Sequence, residues 1–241
     1  VADRYINGDA SYGIWRDMHM KIEGDAVNTL QMVFLSDWYF VRQIELAEMK
    51  YFPPKNPVGD SLVQITSSGP DSDWPAIMMG IFHAIASAHS YVYIATPYFM
   101  PGETVLMALK SAALGGIDVR ILIPQQSDAW FTRLCSNSYV KELLEADIKV
   151  YFYTKGFLHS KMMVVDDVLS TLGSANIDFR SFEQNFEINA FMFDENIARE
   201  MKDIYLDDLN DAIEIEYEQW KGRPLKQKMQ ESFARLFSPL L

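Results

Sequence analysis

The sequence predicts an α/β fold in which a mixed β-sheet is flanked by helices on both faces. Short apolar runs alternate with stretches of helical periodicity along the chain, as they do in βα units. Of the 241 residues, 49% are hydrophobic, which is enough for a sizeable core. No segment approaches 18 consecutive apolar residues, so a membrane-spanning helix is not expected.

The elements follow one another with few interruptions. Strands are predicted at 18–23, 62–67, 91–97, 119–124, 148–153, 158–166, 169–177 and 186–193. Helices are predicted at 26–49, 75–89, 103–114, 130–146, 195–220 and 225–236. Pro75 suits a first helical turn, because its missing N–H loses no partner there. Gly115 and Gly116 close the helix before them, since glycine takes the left-handed conformation without strain.

A proline-rich stretch divides the chain. Residues 51–57 contain three prolines and cannot continue a helix. We interpret them as a linker between 1–50, the tail of a preceding lobe, and 58–241, a second lobe that is complete. Aligning Asp17 with Glu187 matches an acidic residue, a strand, a turn and a long helix without a gap, which indicates an internal duplication. The rest of the first copy would then lie upstream of Val1, and a start on Val1 without a signal peptide is typical of a chain cut from a longer protein.

The charge balance argues against a nucleic-acid partner. The formal net charge is −12 and the isoelectric point is about 4.7, whereas nucleic-acid binding depends on Lys and Arg at phosphates. The single cysteine, Cys135, cannot form an internal disulfide. We expect it to be a buried structural thiol, which fits a reducing, cytoplasmic setting.

One strand carries two candidate functional residues. His159 and Lys161 are two apart in 158–166, so they share one face of the strand. A two-residue turn at 167–168 would fold the next strand back antiparallel. Val168 disfavours the positive φ of such a turn, which allows the register to slip.

This hairpin would gather a cluster suited to a phosphodiester. His159 would lie opposite Asn176, and Lys161 opposite Ser174, at roughly 4.5–5.5 Å between Cβ atoms. An imidazole can attack phosphorus or protonate a leaving oxygen, while ammonium, hydroxyl and amide groups hold the non-bridging oxygens. Glu187 opens another strand and is expected to accept the second imidazole N–H, which would fix the tautomer.

Asp166 stands apart from this cluster although it is counted with His159, Lys161 and Glu187 as a catalytic candidate. On a continuous strand it would lie about 23 Å from His159, at roughly 3.3 Å per residue, and face the other way. The geometry therefore predicts that Asp166 holds the turn.

These residues resemble a known motif. The pattern His159-x-Lys161-x4-Asp166, followed by Gly-Ser174-x-Asn176, is similar to the HKD motif of the phospholipase D superfamily. Segments 15–24, 96–99, 176–187 and 236–241 resemble bacterial cardiolipin synthases, so the whole chain is similar to the C-terminal half of such an enzyme.

The resemblance implies a site built from two HKD motifs, in which one histidine becomes a phosphohistidine and the other protonates the leaving alcohol, with no metal or other cofactor. The family's first motif and its N-terminal membrane helices are missing from these 241 residues. We therefore expect this chain to be inactive alone, with His159 as general acid and base and the nucleophile in the missing N-terminal lobe. Asp17, as the counterpart of Glu187, would orient that missing histidine.

The resemblance also implies a reaction and a location. The expected reaction is phosphatidyl transfer between two phosphatidylglycerol molecules, giving cardiolipin and glycerol. The expected partners are anionic phospholipid and the missing lobe, and the parent protein would reach the membrane surface. The parent is expected at a bacterial inner membrane, with this part soluble on the cytoplasmic side. Two alternatives stay open: a phosphodiesterase or nuclease with a single HKD motif that pairs His159 across a homodimer, and a lobe that binds phospholipid without turnover.

Two further features can be interpreted in two ways. His19 lies on the same strand face as Asp17, but such a face is more often solvated than catalytic. An apolar stripe at helical spacing favours packing against the domain over membrane docking, and it consists of Phe233, Leu236, Phe237 and Leu240.

Overall fold

A mixed sheet with helices on both faces is present, as the sequence predicts. The computed structural model describes residues 3–8, 13–54 and 58–241. The strands are β1 Ile14–Arg16, β2 Leu62–Ser68, β3 Tyr91–Ala95, β4 Phe99–Met100, β5 Asp118–Pro124, β6 Lys149–Tyr153, β7 Gly156–Leu158, β8 Met162–Val165, β9 Leu169–Gly173, β10 Ile177–Asp178, β11 Glu187–Phe193 and β12 Ala212–Glu214. The helices are α1 Asp3–Asn7, α2 Ala26–Arg42, α3 Ala76–Ala86, α4 Glu103–Leu114, α5 Trp130–Glu145, α6 Phe179–Glu183, α7 Glu195–Asp208, α8 Tyr217–Lys221 and α9 Leu225–Arg235.

The main sheet runs in the order β12-β6-β5-β3-β8-β9-β11-β2. Its strands β3, β5 and β6 are parallel neighbours, and every other adjacent pair in the sheet is antiparallel. Two short parallel pairs, β1 with β7 and β4 with β10, lie outside it. These short pairs fix the loops that carry the polar cluster.

Both faces of the sheet are covered because the covering helices are amphipathic. On one face, α3 buries Ile77, Ile81 and Ile85 at helical spacing, and α4 and α5 extend the same core. On the other face, α7 buries Met201 and Tyr205. Each fully buried side chain of this size contributes roughly 1.5–3 kcal/mol relative to its exposed state.

The turn after β8 differs from the predicted one. Its central residues are Asp166 and Asp167, whose φ angles are 54° and 55°, and the N–H of Val168 donates to the Val165 carbonyl at 3.0 Å. Val165 pairs with Leu169, so three residues, 166–168, separate the strands. The predicted turn at 167–168 is therefore wrong by one residue. Aspartate tolerates the left-handed conformation at the two central positions of this turn, whereas the branched Val168 would not.

The two strands predicted at the polar cluster are interrupted. Residues 159–161, which include His159 and Lys161, lie between β7 and β8 and not within a strand, so the predicted continuous strand 158–166 is wrong. The predicted strand 169–177 is likewise divided into β9 and β10.

Other predicted elements differ in extent. Residues 18–23 have no regular secondary structure and make no strand pairing with any described residue, and α2 ends at Arg42 rather than at 49. The predicted helix 195–220 is divided, because Ala212–Glu214 pairs with the edge strand β6 as β12. Edge pairing outweighs local helical pattern there.

The predicted division into tail, linker and second lobe stays a prediction. All strands of the main sheet fall within 58–241, and the tail reaches this lobe through the β1–β7 pair. Residues 55–57 of the predicted linker lie outside the described residues. Within the described ranges, no helix combines the length and apolar character that crossing a membrane requires.

Candidate active site

The short β1–β7 pair brings Asp17 to His159. Arg16 and Leu158 are partners in this parallel pair, and the backbone N–H of His159 donates to the carbonyl of Arg16 at 2.7 Å. The residues that follow each strand are therefore neighbours. Asp17 Oδ2 lies 2.8 Å from His159 Nδ1, and both side chains are mostly buried.

Arg16 fixes this pairing to the rest of the domain. Its guanidinium donates to both carboxylate oxygens of Asp208 at 2.7 and 2.9 Å, and it also donates to the carbonyl of Asp17 at 2.7 Å. Burial raises the pKa of Asp208, and the hydrogen bond from Arg16 opposes that shift. Sequence reasoning missed this clamp, because nothing local links two residues that are 192 positions apart.

The predicted carboxylate partner of His159 is wrong. Glu187 was expected to accept from the imidazole and Asp17 to serve a missing histidine, but Asp17 contacts the ring. Glu187 Oε1 instead accepts from Asn185 Nδ2 at 3.1 Å. The order of strands along the chain does not reveal the β1–β7 pair, which decides between the two acids.

Aromatic rings enclose the imidazole of His159. The ring centroids of Trp15, Phe157 and Tyr5 lie 5.2, 5.7 and 5.8 Å from that of His159. Only 21% of the His159 side chain is exposed. The rings restrict the rotation of the imidazole and keep water from most of its surface. The hydrogen bond with Asp17 then fixes which ring nitrogen faces the carboxylate.

Lys161 lies against the same ring. Its Nζ lies 3.1 Å from His159 Nε2 and 3.2 Å from His159 Nδ1, and it donates to the His159 carbonyl at 2.7 Å. Burial lowers the pKa of Lys161 to about 8, while the negative charges of Asp17 and Glu187 oppose the shift. A poorly hydrated ammonium beside an imidazole ring is suited to bind an anion there.

The pairing of His159 with Asp17 assigns its ring nitrogens. Nδ1–H donates to the carboxylate in the neutral form, so Nε2 carries the lone pair. The acid also stabilises the imidazolium form when Nε2 takes up a proton. The pair can therefore give or accept a proton at Nε2.

Ser174 directly follows β9, and the residue before it, Gly173, has no space for a side chain. A Cβ on Gly173 would collide with Asn189 Oδ1 and with the carbonyl of Ile188. The Ser174 backbone N–H donates to the Ile188 carbonyl at 2.9 Å, and its Oγ accepts from the Ile188 N–H at 3.0 Å. Because the hairpin register differs, Gly173 rather than Ser174 bonds to the backbone of Lys161. The predicted alignment of Ser174 with Lys161 is therefore wrong.

Asn176 is held by a capping residue that sequence reasoning missed. The Asn176 N–H donates to Ser181 Oγ at 3.1 Å, and Asp178 Oδ1 accepts from the Ser181 N–H at 2.7 Å as the N-cap of α6. Burial raises the pKa of Asp178, against hydrogen bonds from Ser181 and Asn176. An Asp three residues before a Ser is a helix-start signal that was available. The Asn176 Oδ1 atom is buried with no hydrogen-bond partner among the described residues.

Asp166 lies at the far end of β8 from His159. Its carboxylate accepts from the backbone N–H groups of His89, Ser90 and Tyr91 at 2.6, 2.8 and 2.8 Å. Asp166 is therefore not a catalytic residue, and its inclusion among the catalytic candidates is wrong. Its carboxylate joins the hairpin turn to the start of β3. The structural role that strand geometry predicted for it agrees with these contacts.

The structure thus brings His159, Lys161 and Asp17 into contact, with Glu187 and Asp178 close enough to affect the lysine. In the described part of the chain, no three His, Cys, Asp or Glu side chains are grouped so that they could hold a metal ion.

Comparison with known proteins identifies relatives of the whole chain. A family model described as cardiolipin synthase, PLD-like domain, matches residues 81–209. Proteins named cardiolipin synthase from Geobacillus sp. (strain WCH70) and cardiolipin synthase 2 from Bacillus anthracis are 45% and 43% identical over 243 residues. Both matches cover 100% of this chain and 48% and 47% of the relatives. The chain therefore spans about half the length of these relatives.

Solved structures share the fold at low sequence identity. The phospholipase D family member Nuc from Salmonella typhimurium has a TM-score of 0.55 and 20% identity, covering 65% of this chain and 99% of that one. Phosphatidylserine synthase from Haemophilus influenzae Rd KW20 has a TM-score of 0.61 and 15% identity, covering 78% of this chain and 49% of that one. Both support the fold alone.

Proposed function

This chain belongs to the phospholipase D-like domain family of cardiolipin synthases, and we propose that it supplies half of an active site for phosphatidyl transfer. The proposed reaction joins two phosphatidylglycerol molecules and gives cardiolipin and glycerol. The observation that carries the proposal is the His159–Asp17 contact with the Lys161 ammonium against the same imidazole ring. The relatives are about twice as long as this chain, so the other half of the site is proposed to come from an upstream lobe.

In this proposal His159 transfers the protons. A histidine of the upstream lobe attacks phosphorus, so a P–N bond forms and the P–O bond to glycerol breaks. Nε2 of protonated His159 gives its proton to the departing glycerol oxygen. The hydroxyl of a second phosphatidylglycerol then attacks, His159 Nε2 takes its proton, and the P–N bond breaks. Asp17 stabilises the imidazolium in both steps.

Lys161 is proposed to hold the non-bridging phosphate oxygens. With a pKa of about 8 it stays mainly protonated at neutral pH, and its burial strengthens the attraction for an anion. Asn176 and Ser174 are proposed as further phosphate donors. Ser174 is exposed, and the half-buried Asn176 is held near the acidic cap of α6.

Glu187 is proposed to serve the upstream histidine. It aligns with Asp17 in the internal duplication, and Asp17 pairs with a histidine outside its own predicted lobe. If each lobe supplies the acid for the histidine of the other lobe, Glu187 is the acid for the missing histidine. The hydrogen bond from Asn185 would keep its carboxylate in position until that lobe is present.

The surroundings of the reaction follow from this function. Anionic phospholipid and the upstream lobe are the proposed partners, and the longer protein is proposed to act at the cytoplasmic side of a bacterial inner membrane. A homodimeric nuclease is not favoured, because relatives at 43–45% identity over the whole chain are named cardiolipin synthase.

The test compares phosphatidylglycerol turnover by these 241 residues and by a longer form that restores the upstream residues, each with a His159→Ala variant. We expect only the longer form to produce cardiolipin and to lose that activity on substitution. His159-dependent cleavage of phosphodiesters by the 241 residues alone would contradict the proposal and favour a homodimeric site.

A further inference from the structure

Apolar side chains project from α5, α9 and the turn that follows α9. The stripe predicted to pack against the domain is instead largely exposed, so that expectation is wrong. Trp130 is 69% exposed, Leu236 74% and Leu240 69%. Single exposed apolar residues are ordinary, but a contiguous group is not. We call this group the aromatic ridge, and it consists of Trp130, Phe131, Phe233, Leu236, Phe237 and Leu240.

The rings of the aromatic ridge form a continuous row. The centroid of Phe131 lies 5.5 Å from that of Trp130 and 5.8 Å from that of Phe237, and Phe237 lies 5.2 Å from Phe233. These contacts join α5 to α9, so the ridge belongs to the folded surface.

The helix that carries most of the ridge is firmly held. Ala234 is fully buried, and its carbonyl accepts from Cys135 Sγ at 3.1 Å. The guanidinium of Arg235 lies 4.1 Å from the ring centroid of Tyr139 and pairs with Glu142. With one face of α9 fixed on α5, the other face presents its apolar side chains to solvent in a set orientation.

The ridge borders the candidate active site on the side of α6. The N–H of Arg180 donates to the carbonyl of Leu241 at 3.3 Å, and Gln184 Nε2 donates to the carbonyl of Pro239 at 3.5 Å. Both donors belong to the segment that Asp178 caps. The turn after α9 is thus attached to the segment that positions Asn176.

The other end of the ridge is also near the site. Asp128, two residues before Trp130, accepts from the hydroxyl of Tyr98 at 2.6 Å. Its negative charge is among those that act on Lys161. The ridge therefore runs from the start of α5 to the turn that contacts α6, along one margin of the candidate active site.

Two arginines add positive charge to this margin. Arg133 is one helical turn from Trp130, and Arg180 is the second residue of α6. Both are exposed, and neither side chain has an ion pair or hydrogen bond with another described residue. The carboxylates of the neighbouring helices, Glu142 and Glu231, are already paired with arginines. In a chain of net charge −12, this margin is suited to an anionic partner.

The geometry points to insertion of the aromatic ridge into the interfacial layer of an anionic phospholipid bilayer, with Arg133 and Arg180 on its head groups. Exposed aromatic and leucine side chains flanked by arginine are the composition that such interfaces favour. This inference rests on the proposed function, because a site for a diacyl phospholipid has to reach the surface in which that lipid lies.

The upstream lobe is less well suited to cover the ridge. The tail that would connect to it packs against β2 through α2, at one edge of the sheet, whereas α5 lies over β6 near the other. Helix α2 also has its own exposed apolar side chains, including Phe34, Phe40 and Val41. Those residues offer the upstream lobe a separate surface.

The test is sedimentation of the 241-residue chain with vesicles of phosphatidylglycerol and phosphatidylcholine in equal amounts. Leu236→Ser with Leu240→Ser should lower the partition coefficient by roughly tenfold for each leucine. Both positions are exposed, so the fold is retained. The matched control is Met107→Ser with Leu114→Ser on α4, which are 57% and 72% exposed and lie outside the ridge; it should bind like the unsubstituted chain.

Two further double substitutions identify the surface that binds the vesicles. Arg133→Gln with Arg180→Gln should weaken binding to these vesicles roughly fivefold for each arginine, and should leave binding to pure phosphatidylcholine unchanged. Phe40→Ser with Val41→Ser on α2 should have a smaller effect than the leucine pair.

The inference would be overturned if the chain did not bind vesicles or if the leucine variant bound as well as the unsubstituted chain. It would also be overturned if the α4 control lost as much binding as the leucine variant, or if the α2 substitutions lowered binding more than the leucine pair. An arginine pair without effect would overturn the assignment to an anionic bilayer. Sedimentation requires no turnover, so ridge-dependent binding without cardiolipin formation would refute only the proposed reaction. Cardiolipin formation with ridge-independent binding would refute only the docking surface.

Discussion

Replacing Asp166 tests whether this motif residue supports the fold or the chemistry. Its carboxylate accepts from three backbone N–H groups, of which that of Tyr91 is partly buried and those of His89 and Ser90 are exposed. Hydrogen bonds to a charged group contribute about 1.5–3 kcal/mol, and water replaces much of this at exposed donors. We assign about 1.5 kcal/mol to the Tyr91 bond and about 0.5 kcal/mol to each of the others. Asp166→Gly should therefore lower the free energy of unfolding by about 2.5 kcal/mol.

The alanine variant adds the cost of the turn conformation. Asp166 has φ 54°, which glycine adopts freely and alanine adopts at a cost of about 1 kcal/mol. Asp166→Ala should thus be less stable than Asp166→Gly by about that amount. Urea denaturation of the 241-residue chain measures both differences. A glycine variant as stable as the unsubstituted chain would refute the role of the carboxylate, and equal stability of the two variants would refute the backbone argument.

The remaining predictions concern the site itself. Asp17→Asn in the longer form should reduce cardiolipin formation by roughly 10–100-fold, because a charged hydrogen bond to the imidazolium is lost; an unchanged rate would remove Asp17 from the mechanism. For Lys161, the pKa of about 8 in the folded chain lies below the ordinary lysine value of 10.5, so the unfolded chain binds more protons between these limits. Stability should therefore rise by up to roughly 3 kcal/mol as pH increases through that window, and Lys161→Met should lose this rise in pH-dependent denaturation. Gly173→Ala should destabilise by about 2–4 kcal/mol because its Cβ meets Asn189, whereas Gly59→Ala, with no atom within 4 Å of its Cβ, should be neutral in the same assay.

Local patterns were sufficient for much of the fold. The alternation of apolar runs and helical periodicity predicts the central strands and the helices on both faces, because each face of the sheet needs an apolar cover. The sequence also identified His159 and Lys161, whose spacing places them in the same segment. In both cases the relevant information lies within a few residues of the element concerned.

The pairing of distant segments could not be predicted in the same way. The hairpin register depends on which residue pair accepts positive φ, and two aspartates accept it better than the pair containing Val168. The choice of Asp17 over Glu187 depends on a three-residue parallel contact between β1 and β7. Nothing within either strand specifies such a partner, so the acid of the site emerged only from the three-dimensional arrangement.

The β1–β7 pair also determines where this protein can be recombined. Asp17 and His159 are 142 positions apart and lie on opposite sides of the proline-rich stretch 51–57. A chimera of two homologues joined within that stretch would combine an acid from one ancestor with a histidine from the other, and would also separate Arg16 from its own Asp208. A crossover upstream of β1 would inherit all four residues together. The boundary that the prolines suggest therefore differs from the unit that has to be inherited intact.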